Sequence, residues 1–187
     1  LILAVNSFQL ELTQFFSPTV AVLTNIAPDH MDHYGSMAEY VKAKSRMFAN
    51  QQPFDWAIIQ SEALAQIRSL GIEIPSKIIT FSSSNRRADI SLDRGLIVSR
   101  VPGWEGPLLD FNECQLQGAH NAEIIMAALA VGRVLRIPLE QSALVLRNHP
   151  ALPHRCEIVA EIGGVSYIND SRSTNVAALE KSLTSMK

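Results

Sequence analysis

Cysteine is nearly absent: Cys114 and Cys156 are the only two in 187 residues, far apart and in no metal-ligand spacing. That excludes a disulfide-built secreted scaffold or a cysteine-rich zinc module, and it fits reduced thiols in a cytoplasmic protein. An excess of positive charge is also missing. The 16 basic and 18 acidic side chains leave a net charge of -2, so nothing is set aside to neutralise a nucleic-acid backbone, and no nucleic-acid partner is expected. No apolar run approaches the roughly 20 residues that cross a bilayer, so no membrane partner is expected either. The chain begins without Met and without a basic segment, so its opening residues are not expected to be a signal peptide. Leu1 to Val5, followed by Asn6-Ser7, reads as a buried strand with a polar end, and a chain starting inside a core strand is expected to be a piece of a longer one. What is abundant is apolar: 47% hydrophobic residues against 18% charged ones support a packed core and exclude disorder.

Short apolar runs alternate with helical periodicities. Val20–Ile26, Trp56–Ile59 and Lys77–Phe81 read as strands, with helices over Ser36–Gln51 and Ser61–Leu70, the second closed by Gly71. This alternation predicts an α/β fold, a mostly parallel sheet covered by helices on both faces. Ile90–Ser99 with Asp93-Arg94-Gly95 at its turn predicts a hairpin, and Pro102–Gln117 holds further short β-like pieces, together a small antiparallel excursion. Helices are expected over Asn121–Arg136 and Leu139–Arg147. In the first of these Ile125, Ala128, Leu129, Gly132 and Leu135 share one face. Asn148 to Pro153 punctuates the chain, dividing it into residues 1–150 and 151–187. The second part opens with a hairpin turning at Gly163-Gly164 and a helix over Asn175–Leu183, and is too short to be a domain by itself.

Four clusters carry candidate chemistry. Asp29-His30-Met31-Asp32-His33 follows a buried strand, where open α/β sheets bind ligands. It can hold a hard cation or place a phosphate, or else be a solvated loop with a capping Asp. Lys44 lies on the apolar stripe of Met37, Tyr40, Val41, Met47 and Phe48, whereas Lys42 and Arg46 point to solvent. An amine against apolar neighbours loses preference for its charged form, becomes nucleophilic and reacts with carbon dioxide to give an anionic carbamate. The alternative is an ammonium that snorkels to water. Gly118-Ala119-His120-Asn121 opens a helix with Asn121 as N-cap, either a plain cap or a site for a polar ligand. Leu152-Pro153-His154-Arg155 and Asn169 to Asn175 bring hydroxyls and guanidinium groups to a helix start, where phosphate or carboxylate is stabilised.

Together these strings resemble the Mur ligase family, and within it the D-glutamate-adding branch. The matching segments are Ser7 to Glu11, Asn25 to Asp32, Tyr40 to Lys44, Gly118 to Asn121 with Ala127-Ala128, Leu152 to Glu157 and Gly164 to Asn175, in family order. The resemblance implies an N-terminally truncated central ATP-binding domain over residues 1–150 and the start of a C-terminal Rossmann-like domain over 151–187. It implies a cytoplasmic, monomeric ligase of peptidoglycan synthesis, and so of cell shape and division. ATP and magnesium would be its cofactors, and UDP-N-acetylmuramoyl-L-alanine and D-glutamate its substrates, joined through an acyl phosphate. By position, His30 and a carbamylated Lys44 would hold magnesium. Asn121, Arg155 and Asp170 would contact the nucleotide. Asn6, Ser7 and Ser171 would contact substrate, while Arg172 and Thr174 would act in catalysis on the incoming amino acid or the transferred phosphate.

Departures from the family pattern are local. Ala4 and Asn6 stand where the family carries a magnesium-binding Glu and a Ser, Arg172 replaces a Lys, and Ile124 replaces an Asn. They leave two other readings open: a non-catalytic nucleotide-binding module, or a metal-dependent hydrolase using Asp29, His30, Asp32 and His33 with His120, His149 or His154. The glycine-rich phosphate loop is absent from this sequence. The 187-residue polypeptide alone is therefore expected to be inert, and ADP release from it that required both UDP-N-acetylmuramoyl-L-alanine and D-glutamate would overturn that expectation.

Overall fold

The computed structural model describes residues 1–185; the last two positions of the 151–187 unit lie outside the described residues. Six strands form one sheet in chain order, β1 (Val20–Leu23), β2 (Trp56–Gln60), β3 (Lys77–Ser82), β4 (Ile90–Asp93), β5 (Leu96–Ser99) and β6 (Gly106–Asp110). The pairs β1/β2, β2/β3 and β3/β4 are parallel, and β4/β5 and β5/β6 are antiparallel. A separate two-stranded antiparallel sheet pairs β7 (Glu157–Ile162) with β8 (Val165–Asn169).

Parallel neighbours require crossover connections. Helix α2 (Met37–Ser45), continued by a 3-10 turn over Arg46–Phe48, joins β1 to β2, and α3 (Ser61–Ser69) joins β2 to β3. Both pack on one face, where Tyr40, Val41, Met47, Phe48, Ala63, Leu64 and Ile67 meet Ala21, Leu23, Ala57 and Ile59. The opposite face is covered by α4 (Ala119–Val134) and α5 (Leu139–Arg147). There Ala122, Ile125, Met126, Leu129 and Ala143 meet Ile58, Ile79, Phe81 and Ile90. The alternation Ala57, Ile58, Ile59 between the two clusters is the period-2 pleat of a strand buried on both faces. The β3–β4 connection needs no helix, because those strands overlap only at Phe81/Ile90 and Ser82/Ser91. Thr80 and Asp89 clamp it: the Thr80 backbone N–H and hydroxyl both donate to Asp89 Oδ2 at 2.7 Å, and the Asp89 N–H donates back to Thr80 Oγ1 at 2.9 Å.

Both expected hairpin turns form, with positive φ at Arg94 and Gly95 and at Gly163 and Gly164. One expectation fails. Leu1 to Val5 is not a strand: it is exposed along its whole length, and β1 stands at the sheet edge with β2 as its neighbour. Its apolar residues have no sheet position to fill among the described residues. Arg46 is exposed, as expected, and is also anchored. Its Nε donates to the Leu10 carbonyl at 2.9 Å and its Nη2 donates to that of Thr13, closing the C-terminal end of the short helix α1 (Ser7–Glu11).

The amino-terminal edge of the sheet is stitched by one buried amide. Gln51 Nε2 donates to the carbonyls of Pro18 (2.9 Å) and Trp56 (3.0 Å), and its Oε1 accepts from Ser76 Oγ at 2.7 Å. It thereby ties the chain entering β1, β2 and β3. Gln51→Leu leaves those partners buried and unpaired, and is expected to cost about 1–3 kcal/mol, read as a lowered urea midpoint with unchanged slope.

Candidate functional site

The loop leaving β1 is organised before it reaches any ligand. Ile26 is buried and its carbonyl accepts from Gln66 Nε2 at 3.2 Å. His30 takes a left-handed backbone, φ 56°, and its carbonyl accepts the N–H groups of His33 and Tyr34 at 3.0 Å. The His30 N–H donates to Asp29 Oδ1 at 3.0 Å. A non-glycine residue in that region costs free energy and persists only when its surroundings enforce it. Here the enforcement is aromatic: Phe8 of α1 packs its ring against His30 and His33, both at 4.8 Å between centroids, and stacks on Tyr34.

Asp29 is the hub. Its Oδ2 lies 3.7 Å from His30 Nε2 and accepts from Asn175 Nδ2 at 3.1 Å. Its charge also acts on Lys44 and Tyr40 of α2. The Lys44 amine, half-buried one helical turn beyond Tyr40, sits 5.1 Å above that ring. Burial holds it below the ordinary lysine range, against the opposing pull of Asp29. Burial likewise pushes the Tyr40 hydroxyl up to about 12, helped by Asp29 and Tyr34. His30 lies beside the Asp29 carboxylate, whose charge also acts on Lys44, and four of the five stripe residues, Tyr40, Val41, Met47 and Phe48, are buried.

A second grouping forms where α4 begins. Asn121 is not the N-cap: Gly118 is, at φ 91°, and the Asn121 side chain donates to the Gln117 carbonyl at 2.7 Å from inside the first turn. Only glycine adopts that backbone without strain, so the cap passes to it. Burial, with the charges of Lys181 and Arg155 adding to it, holds the half-buried His120 imidazole below its ordinary range. Asp170 is held low by the hydroxyls of Ser173 and Ser182, with the Cys156 N–H donating at 3.1 Å and Arg155 adding its charge. His120, Arg155 and Asp170 therefore share one electrostatic neighbourhood beside Asn121. Ser171, Arg172 and Thr174 lie exposed on the turn between β8 and α6 (Val176–Ser185), whose cap is Asn175, its Oδ1 accepting from the Ala178 N–H at 2.8 Å. Asn175 joins the two groupings through Asp29.

Asn6 and Ser7 stand apart from these contacts. Asn6 is spent on a capping box with Gln9, each side chain accepting the other's N–H at 2.9 Å, and Ser7 is buried beside Tyr34. The sequence reading missed the pairing of Asp29 with Asn175, which 146 positions of separation conceal. It also missed the serine cradle of Glu62, whose carboxylate accepts from Ser82 and Ser84. The hydrolase reading fails: His33 pairs with Glu11 at 3.3 Å, and among the described residues no three His, Cys, Asp or Glu side chains converge as a metal site. Neither Cys114 nor Cys156 is in a disulfide among the described residues.

A family model described as the Mur ligase middle domain matches residues 4–132. The UDP-N-acetylmuramoylalanine–D-glutamate ligase of Pelotomaculum thermopropionicum is 40% identical over 183 residues, covering 97% of this chain and 40% of that protein. Its counterpart in Acidobacterium capsulatum is 40% identical over 185 residues, with the same coverage. The chain thus spans about two fifths of the length of these relatives. Among solved structures, MurF from Acinetobacter baumannii superposes with a TM-score of 0.67 at 20% identity, over 91% of this chain and 38% of that one. MurC from Thermotoga maritima does so with 0.66 at 19% identity, over 96% and 40%. These two likenesses concern the fold.

The electrostatics beside α4 give a direct test. Because the Arg155 charge helps to hold His120 low, Arg155→Gln is expected to raise the His120 pKa, read from the imidazole Cε1 proton against pH. Since the folded value lies below the unfolded one, His120 withholds stability as pH falls below about 6.5, and the substitution should soften that loss.

Proposed function

The chain belongs to the Mur ligase family, and from that premise we propose that it is the ATP-binding middle part of the ligase that joins D-glutamate to UDP-N-acetylmuramoyl-L-alanine in peptidoglycan synthesis. On this reading residues 1–150 belong to the central domain and 151–187 open the next. The names of the relatives, all D-glutamate ligases at 34–40% identity, support a ligase over a non-catalytic module. The observation that carries the proposal is the 40% identity to D-glutamate ligases over 97% of the chain; the Asp29 carboxylate beside His30, whose charge acts on Lys44, is consistent with it.

The residues present fit magnesium. That ion takes one or two carboxylates together with substrate phosphates rather than a closed protein cage, and the site offers Asp29, His30 and a lysine whose burial favours the uncharged amine. In its deprotonated form the Lys44 amine would add to the carbon of carbon dioxide and lose a proton, giving an anionic carbamate whose oxygens would help His30 hold the cation. Ala4 contributes no carboxylate, so the lysine carbamate bears more of the anionic charge here. Bound ATP supplies the phosphoryl group that activates the substrate carboxylate as an acyl phosphate, and magnesium offsets the phosphate charge.

The chain's own groups do the positioning. The left-handed backbone and the Phe8 ring hold the His30 imidazole in one orientation before any ligand arrives. Asn121, Arg155 and Asp170 take the nucleotide, and the Arg172 guanidinium and the hydroxyls of Ser171 and Thr174 face the incoming amino acid or the transferred phosphate. Asn6 and Ser7 line the substrate side, although Asn6 is engaged by its helix cap. The D-glutamate amine then attacks the acyl carbon, the amide bond forms and phosphate leaves.

In the full-length protein, Lys44→Ala is expected to lower kcat by about 10²-fold or more, the scale for losing one preorganised charge at a reacting centre. ADP release dependent on both substrates measures it. Unchanged turnover would remove Lys44 from the proposed role.

A further inference from the structure

On the α2/α3 face, β1 to β3 are covered by helices, but β4 is not, and the edge of α3 leaves a groove. It has a volume of about 460 Å³ and lies between α3 and the β3–β4 connection, with Arg68 and Ser61 on one wall, Asn85 and Arg87 on the other, and Thr80 and Leu64 among its lining. Ser61 and Arg68 are seven residues apart, about 10 Å along the helix, so the groove runs two turns away from the strand ends. Asn85 Nδ2 donates to Ser61 Oγ at 3.4 Å across its upper end. Its lining shares no residue with the candidate site.

Among the described residues, the guanidinium groups of Arg68 and Arg87 meet no carboxylate and no hydrogen-bond acceptor, whereas the neighbouring Arg86 is paired with Asp93 at 2.9 Å. The nearby carboxylates of Glu62 and Asp89 keep their charge but bond hydroxyl groups rather than these arginines. Glu62 is held by the hydroxyls of Ser61, Ser82 and Ser84, and Asp89 by Thr80. No acidic side chain lines the groove. Two guanidinium groups converging on one concavity, with hydroxyl and amide groups between them and an apolar wall at Leu64, match the planar, multidentate geometry in which arginine takes phosphate. Arg68 and Leu64 also line an adjoining cavity of about 280 Å³ with Ile72, Ile74, Ile78 and Glu73. The wall beyond Arg68 is therefore mostly isoleucine, with one carboxylate at Glu73.

We propose that this groove is a binding site for a small molecule carrying phosphate or diphosphate, independent of the ligase site. The guanidinium groups of Arg68 and Arg87 grip the anion, and the Asn85 amide completes its hydrogen bonds. The proposal stands or falls separately from the ligase reading, since none of its residues belongs to that site.

The probe is inorganic pyrophosphate, titrated into the 187-residue chain at a fixed sodium chloride concentration near 0.15 M, where exposed charges are largely screened. The readout is the backbone amide and arginine Nε–H signals. Saturable shifts are expected at Ser61, Arg68, Asn85, Arg87 and Ala88. Arg68→Gln with Arg87→Gln should weaken the apparent affinity by about tenfold or more. Arg94→Gln, which removes one charge at the β4–β5 turn, should leave it unchanged. Both arginines are exposed, and an otherwise superimposable spectrum shows that the double variant is folded. Shifts that rise linearly without saturation, that respond equally to Arg94→Gln, or that are confined to the neighbourhood of His30, Lys44 and Asn121 would overturn the site.

Discussion

Parallel strands cannot be closed by tight turns, and that restriction shapes everything functional in this chain. Each of β1, β2 and β3 must return through a covering segment, so all three end at the same edge of the sheet and discharge their polar residues there. Asp29 and His30 follow β1, Ser61 and Glu62 follow β2, and Ser83 and Ser84 follow β3. The strands themselves are apolar on both sides because both faces are covered, leaving polar chemistry nowhere else to go. The opposite edge shows the same economy: one amide, Gln51, satisfies the chain entering all three strands.

Within that edge, two forces oppose each other at Lys44. Burial disfavours its ammonium, and the Asp29 carboxylate favours it, with burial prevailing. The same carboxylate accepts from Asn175, so the segment after β8 is joined to the β1 loop at Asp29.

The regular elements were largely legible in the sequence because their signals are local. Leu139–Arg147 coincides with its helix, and the two hairpins turn at the glycines that permit positive φ. Misreadings arose where a local pattern depended on a distant partner. The apolar run Leu1 to Val5 has strand periodicity, but it has no neighbouring strand among the described residues and lies exposed. Asn121 is a good capping residue, yet Gly118 with its left-handed backbone starts the helix a turn earlier. Arg46 is exposed, as its spacing predicts, and only the approach of α1 supplies the carbonyls it binds.

Residue order alone determined the alternation of strand and helix, the burial stripe that carries Lys44, and the chemistry available to each loop, since these depend on neighbours within a few positions. The tertiary structure decided which of those groups meet. Asp29 and Asn175, His120 and Asp170, or Arg68 and Arg87 are separated by stretches whose closure depends on the packing of both sheet faces, and no local preference encodes it. Contact between distant residues is set by the shape of the core, a property of the whole chain rather than of any segment.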